Sequence, residues 1–229
     1  MLKVGVVIPA GGKGIRFGSR VPKQFQLLHG LSIVRTTLAV FHSVKEVGEI
    51  VVVVPAERVA SIAREVRRAG LVKVTSVIPG GRERQNSVWN GLMSFRRKPD
   101  VVLVHDAVRP LVSPQCIRRV IRLAHRDGAA VVGVRLRDTI KTERPRGFYQ
   151  RTLDRSKLWA VQTPQGFKYT VLVRAHQKAQ RDRFVGTDES SLVERLKMKV
   201  RIVEGDERNF KITTRTDLEL AKTLLKRGN

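Results

Sequence analysis

Short apolar runs and amphipathic stretches take turns along this chain. Val4–Ile8, Ile50–Val54, Val74–Ile78, Val101–Val104 and Ala129–Val134 are rich in β-branched side chains and show little apolar–polar alternation. Runs of that kind suit strands covered on both faces, as in a parallel sheet. Between them, Ile33–Phe41, Glu57–Arg68, Arg84–Phe95 and Pro114–Arg126 repeat apolar residues at the helical period. Ser113 followed by Pro114 marks a sharp helix start. This βαβ rhythm predicts an α/β fold, a Rossmann-like and mostly parallel sheet flanked by helices.

The rhythm breaks over 139–160. Thr139–Thr142 and Tyr149–Leu153 flank Arg144-Pro145-Arg146-Gly147, which predicts two strands around a turn. A lone hairpin is marginal in water, so this arm is expected to pack on something, a second subunit being the candidate. Beyond it the pattern predicts a helix over Tyr169–Arg181, a short helix over Asp188–Leu196, a strand over Val200–Glu204 and a last helix over Thr216–Lys226. The expected organisation is one domain, 1–229, with 139–160 as its arm.

Hydrophobic residues make up 41% of the chain, an ordinary share for a globular protein. Nowhere do about 18 apolar residues run together, so no membrane span is expected. Met1-Leu2-Lys3 leads straight into the first strand, which predicts no signal peptide and a cytoplasmic enzyme. Cys116 has no second cysteine to pair with and reads as a small hydrophobe on a helix. The unusual number is the net charge of +25, from 45 Lys and Arg against 20 Asp and Glu. A nucleic-acid binder is one class this allows. Yet Arg64, Arg67 and Arg68 lie opposite Val59, Ile62, Ala63 and Val66, and Arg118, Arg119, Arg122 and Arg126 lie mostly opposite Ile117, Val120, Ile121 and Ala124. These read as solvated helix faces. Aromatics are 5% of residues and are not interleaved with the cations, as base-stacking surfaces require. No nucleic-acid partner is expected.

Candidate chemistry starts at the end of the first strand, Ile8-Pro9-Ala10-Gly11-Gly12-Lys13-Gly14-Ile15-Arg16-Phe17, followed by Lys23. Glycines let bare backbone amides approach a polyphosphate. Arg16 and Lys23 bring cations to the same loop. Lys13 is followed by Gly14 rather than Ser or Thr, so this is no Walker loop; nor does the spacing to Gly18 fit the dinucleotide fingerprint. A ligand-free turn remains the plain alternative. Further polar motifs follow later strands: Gly80-Gly81-Arg82-Glu83-Arg84-Gln85-Asn86-Ser87, His105-Asp106-Ala107-Val108-Arg109-Pro110 and Arg137-Asp138-Thr139. Gln162-Thr163-Pro164-Gln165, Thr187-Asp188-Glu189 and Asn209-Phe210-Lys211-Ile212-Thr213 come after the arm. Open α/β sheets bind ligands beyond the carboxyl ends of their strands. Each motif alone could be turn chemistry, Thr187 for instance as a helix cap.

Together these motifs resemble a known family, the 2-C-methyl-D-erythritol 4-phosphate cytidylyltransferases of the non-mevalonate isoprenoid pathway. The family's P-A-A-G-x-G-x-R-M and P-K-Q are similar to Pro9–Phe17 and Pro22–Gln24. Its G-G-x-x-R-x-x-S-V matches Gly80, Gly81, Arg84, Ser87 and Val88, and its H-D-A-x-R-P matches residues 105–110. D-T-x-K, R-x-x-L-W, T-P-Q, T-D-E and N-x-K-x-T match Asp138–Lys141, Arg155–Trp159, Thr163–Gln165, Thr187–Glu189 and Asn209–Thr213. Gly11, Phe17 and Val108 depart from the pattern without removing a charged group.

The resemblance implies a nucleotidyltransferase-type fold and transfer of CMP from CTP to methylerythritol phosphate, with Mg²⁺ bound mainly through the CTP phosphates and no protein metal site. It implies that Pro9, Ala10, Gly11, Gly12, Gly14, Arg16, Lys23, Gly80, Gly81, Arg84, Ser87, Asp106 and Ala107 bind CTP. Asp106, Arg109, Thr139, Arg155, Thr163, Thr187 and Lys211 would surround the polyol phosphate. Arg16, Lys23, Arg155 and Lys211 would be the catalytic cations. The family's arm reaches across a dimer, which implies a homodimer here. The attacking phosphate carries no proton to give up, so a general base has no task and His105 reads as structural. A ribitol-5-phosphate cytidylyltransferase is the neighbouring alternative; a basic nucleic-acid-binding protein is the alternative of another class.

Overall fold

The computed structural model describes residues 2–12, 17 and 21–225. In chain order the elements are β1 (Val4–Pro9), β2 (Leu27–Leu28), β3 (Leu31–Ser32), α1 (Ile33–Ser43), β4 (Val47–Val54), α2 (Val59–Arg68), β5 (Val74–Pro79), α3 (Arg84–Met93), β6 (Val101–Val104), α4 (Pro114–Asp127) and β7 (Ala129–Arg135). The arm is β8 (Lys141–Arg144) and β9 (Phe148–Thr152); then come β10 (Trp159–Lys168), α5 (Tyr169–Arg181), α6 (Glu189–Glu194), β11 (Arg201–Glu204) and α7 (Arg215–Leu224).

Seven strands form one sheet in the order β11-β7-β10-β6-β1-β4-β5. Six run the same way, and β10 alone runs against its neighbours β6 and β7. Alternation along β1 shows how both faces are covered. Val4, Val6 and Ile8 pack under α1, α2 and α4 through Leu38, Phe41, Ile62, Val66, Ile117 and Val120. Val7 faces the other way and joins Val88 and Leu92 of α3, Leu172 and Ala175 of α5 and Leu192 of α6. A strand puts successive side chains on opposite faces, so an unbroken apolar run serves two cores. Helix α3 presses closest to the sheet: a Cβ at Gly91 would stand 2.5 Å from Val7 Cγ1. That approach brings the N-terminus of α3 to the carboxyl end of β1. A third cluster, Leu28, Ile33, Val108, Ile212, Leu218 and Ala221, seats α7 and the β2–β3 turn beside the same end.

The five early strands and all the predicted helices are present, with ends shifted by a few residues. Ser113 caps α4 by accepting from Cys116 N, with Pro114 in the first turn, as its sequence indicates. The last helix is described as far as Leu224, and Lys226 lies outside the described residues. The arginines of α2 and α4 named above are exposed, opposite buried apolar stripes. Cys116 is half-buried, and burial pushes its thiol up to about 11. No helix among the described residues is long and apolar enough to cross a membrane.

Three expectations need correction. Gln162-Thr163-Pro164-Gln165 is not a loop motif but the middle of β10, where the pairing with β7 shifts register between Val161 and Gln165. The bulge accommodates Pro164, which cannot donate to a ladder. The cap of α6 is Asp188, whose side chain accepts from Ser191 N, rather than Thr187. The arm's ladder begins at Lys141, so Thr139 and Ile140 precede it. Arg146 and Gly147 turn it with φ of 72° and 81°.

Candidate active site

A cavity of about 730 Å³ opens where β1, β4, β5 and β6 end. Its walls follow from the chain's turns. At the end of β1, Ala10 N donates to Val53 O at 2.7 Å, which ties the loop to β4. Buried Gln24 then donates from Nε2 to Ala10 O at 2.6 Å and to Gly12 O at 3.0 Å. The strap takes up the carbonyls of Ala10 and Gly12, and Gly11 and Gly12 line the cavity. Gln24 stands in the P-K-Q motif, and a buried glutamine there is a role the sequence reading did not assign.

The second wall is the turn from β5 into α3. Gly81 N–H donates to Ser87 Oγ at 3.1 Å, and Ser87 O–H donates to Glu83 O at 3.1 Å. A Cβ at Gly81 would meet Asn86 Cβ at 2.5 Å, so only glycine lets this turn fold back on the helix. Glu83 and Asn86 form a reciprocal capping box at the start of α3. Ser87 is therefore engaged with its own turn, with one lone pair to spare.

The third wall carries the charge. Asp106, after β6, is buried and lies 2.8 Å from Lys211 Nζ, 3.3 Å from Arg84 Nη2 and 3.8 Å from Arg109 Nε. Burial alone would raise its pKa, but Arg84, Lys211 and Arg109 together hold it well below the usual carboxylate range. Arg84 also grips Glu189, with Nη1 at 2.7 and 2.9 Å from the two carboxylate oxygens. Burial opposes the charge on Arg84, yet Glu189 and Asp106 outweigh it and raise its pKa. Arg109 donates to Asn209 O at 2.7 Å and packs behind Asp106, outside the cavity lining.

His105 is fully buried, and its hydrogen bonds fix its state. Nε2 faces Arg109 O at 3.0 Å, and a carbonyl can only accept, so Nε2 carries the proton. Nδ1 then accepts from Thr163 O–H at 3.0 Å, and Thr163 Oγ1 in turn accepts from Asp106 N–H at 3.1 Å. Desolvation lowers the imidazole from its ordinary 6.5 to about 4. His105 is thus a neutral structural histidine, and Thr163 is the bracket between it and the Asp106 turn.

Eleven of the residues expected at CTP line this cavity: Pro9, Ala10, Gly11, Gly12, Lys23, Gly80, Gly81, Arg84, Ser87, Asp106 and Ala107. Gly14 and Arg16 lie outside the described residues. Of the residues expected at the polyol phosphate, Asp106 and Lys211 line the cavity; Arg109, Thr139, Arg155, Thr163 and Thr187 do not. Thr139 and Arg155 are exposed at the base of the arm, where Arg155 donates to Arg137 O. Thr187 is exposed ahead of α6. Another depression, of about 680 Å³, lies by the edge strand β11 over the Asp127–Arg201 ion pair and holds none of the residues expected at the site.

A cavity lined by two glycine pairs and four cationic residues, Lys23, Arg82, Arg84 and Lys211, suits a polyphosphate, and comparison with other proteins points the same way. A protein from Syntrophus aciditrophicus named 2-C-methyl-D-erythritol 4-phosphate cytidylyltransferase is 41% identical over 226 residues, 98% of this chain and 97% of its own length. The crystal structure of 4-diphosphocytidyl-2C-methyl-D-erythritol synthase from Anaerococcus prevotii superposes with a TM-score of 0.85 at 26% identity, over 99% of this chain and 97% of that one. The crystal structure of 2-C-methyl-D-erythritol 4-phosphate cytidylyltransferase from Thermus thermophilus gives a TM-score of 0.78 at 33% identity, over 97% and 98%. The family model for 2-C-methyl-D-erythritol 4-phosphate cytidylyltransferase matches residues 4–227, and it is to this family that the chain belongs.

Proposed function

We propose that the chain transfers CMP from CTP to 2-C-methyl-D-erythritol 4-phosphate, releasing pyrophosphate. The observation that carries this reading is the convergence of Lys23, Arg82, Arg84 and Lys211 on one cavity that the glycine pairs Gly11-Gly12 and Gly80-Gly81 also line. A phosphate oxygen of the polyol attacks the α-phosphorus in line; the new O–P bond forms as the bond to the β-phosphate oxygen breaks. The partners are anions and the transition state gathers charge, so the protein's work is positioning and electrostatic stabilisation. Arg16 and Lys23 hold the triphosphate and the leaving pyrophosphate. The backbone near Ala10 and Gly81 reads the base, with Ser87 keeping the turn in shape. Lys211 and Arg155 meet the substrate phosphate, with Asp106, Arg109, Thr139, Thr163 and Thr187 building the polyol side directly or from behind.

Mg²⁺ fits this site as a phosphate-bound ion. The two carboxylates in the cavity wall are already engaged, Glu83 in the cap of α3 and Asp106 with three cations. Among the described residues no group of three His, Cys, Asp or Glu side chains could hold a metal. When bound, the ion would neutralise phosphate charge and orient the triphosphate.

The arm supports a homodimer. Phe148 and Tyr149 are 68% and 76% exposed on it, and Thr139 and Arg155 at its base lie outside the cavity of their own chain. In this reading they complete the partner's site. A need for CTP supports a cytoplasmic location, and the dispersed cations support small anionic substrates over nucleic acid.

The test is pyrophosphate release from each of the four nucleoside triphosphates with methylerythritol phosphate or ribitol 5-phosphate. Turnover is expected with CTP and methylerythritol phosphate. Equal use of all nucleotides, or preference for ribitol phosphate, would overturn the assignment.

A further inference from the structure

Glu189 is a buried charge without a task in the chemistry so far. It opens α6, is 1% exposed, and does not line the cavity. Its carboxylate holds one nitrogen of Arg84, whose other terminal nitrogen reaches Asp106. We propose that Glu189 is a positioning residue of the nucleotide cavity, which holds Arg84 in the wall and keeps it from closing fully on Asp106. The proposal rests on the reading of that cavity as the CTP site.

The distances show a division of labour. Nη1 of Arg84 stands 2.7 and 2.9 Å from the oxygens of Glu189, whereas Nη2 stands 3.3 Å from Asp106. Lys211 is closer to Asp106, at 2.8 Å. A guanidinium facing one carboxylate tends to take it with both nitrogens. Released from Glu189, Arg84 would take Asp106 in that way, compete with Lys211, and turn its donors from the cavity. The side chain of Arg84 is 33% exposed and that of Glu189 1%, so the anchor is dry and the anchored group is open to a ligand. Hydrogen bonds strengthen in such surroundings.

A purely structural tie between α3 and α6 is the simpler explanation, but that tie exists elsewhere. Gln85 donates to Phe184 O at 3.1 Å and accepts from Gly186 N at 2.9 Å, which joins α3 to the segment before α6. Gln165 of β10 donates to Asp188 Oδ2 at 2.6 Å and accepts from Ser190 N at 3.2 Å. The start of α6 is anchored without Glu189. What Glu189 adds is a charge aimed at Arg84.

The experiment measures KM for CTP, kcat, CTP affinity by calorimetry and melting temperature in Glu189→Gln, Arg84→Met and the double variant. Glutamine keeps the volume but loses the charge and one acceptor. Glu189→Gln is expected to raise KM for CTP roughly 10- to 100-fold, with kcat changed much less. In the Arg84→Met background the same change should alter KM by less than about threefold, because residues acting through one another do not add. A folded Glu189→Gln with wild-type KM, or two effects that multiply, would overturn the proposal. Should Glu189→Gln fail to fold, Arg84→Met/Glu189→Met removes both charges together and is compared with Arg84→Met alone. Equal CTP affinity supports the proposal, and a further tenfold loss overturns it. A wild type that binds CTP but transfers nothing to methylerythritol phosphate would sink the functional reading alone.

Discussion

Thr163→Val tests the hydrogen-bond relay behind the Asp106 turn. Valine keeps the shape of threonine and removes only the hydroxyl. Two buried groups then lose their partner: Asp106 N–H, which donates to Thr163 Oγ1 at 3.1 Å, and His105 Nδ1, which accepts from it at 3.0 Å. Each unsatisfied buried group costs about 1–3 kcal/mol, so the pair should cost roughly 2–6 kcal/mol. A domain of this size loses about 2–4 °C of melting temperature per kcal/mol, which places the drop at roughly 4–24 °C. Thr163→Ser is the control, since it keeps the hydroxyl and loses one methyl, about 1 kcal/mol. Differential scanning fluorimetry on the three proteins gives the order wild type, serine, valine. Steady-state kinetics on the same samples should show kcat/KM falling further in the valine variant, because the backbone of Asp106 loses its fixed point. A valine variant that melts within about 2 °C of wild type, or above the serine variant, would refute the relay as drawn.

Other expectations follow from geometry and charge. Gly91→Ala would push a Cβ to 2.5 Å from Val7 Cγ1; overpacking of about 1–3 kcal/mol predicts a melting temperature lower by roughly 2–12 °C. His105 and His176 are both buried, and desolvation lowers each from 6.5 to about 4. Between those values the unfolded chain takes up protons that the folded chain refuses, so thermal stability should fall as pH drops from about 6.5 to about 4; below that the histidine share levels off, while the depressed Asp106 keeps stability falling as its carboxylate is protonated. Neither ring nitrogen of His176 has a hydrogen-bond partner, so His176→Leu should raise the melting temperature and flatten that slope; an unchanged slope would exclude His176 as a cause. Mixing inactive Lys23→Ala and Arg155→Ala proteins after dissociation should restore part of the activity if sites are shared between subunits, and no recovery despite proven exchange would mean that each chain builds its site alone. With 45 cations against 20 anions, repulsion dominates the surface, so raising NaCl from about 0.05 to about 0.5 M should raise the melting temperature, and a fall would contradict that balance.

The sequence made the parallel strands legible because their runs are apolar on both faces, and the helices because their arginines fall opposite an apolar stripe. It hid β10. Pro164 argues against a strand, and Gln162, Thr163 and Gln165 look like loop residues. All three are buried because each holds a distant loop: Gln162 bonds Asp206 O and Asn209, Thr163 bonds Asp106, and Gln165 bonds Asp188 and Ser190. Such partners lie 23 to 57 residues away and carry no local signal. The same limit hid Gln24 and Glu189. Their motifs could be read, but a glutamine that ties down carbonyls and a glutamate that steers an arginine become visible only when the neighbours are in place.

The place of β10 also governs how the molecule can be assembled during synthesis. β7 pairs only with β10 and β11, so β7 and β11 join the rest of the sheet through β10 alone. Residues 159–168 must therefore arrive before the ladder from β11 to β5 can close. A nascent chain that has emerged only as far as the arm carries one open side on β6 and leaves β7 unpaired on both sides, with strands that are apolar on both faces. Exposed edges of that kind recruit other chains. The vulnerable interval in the life of this protein is thus the translation of the arm, and a stall there would leave a template for aggregation rather than a folded half.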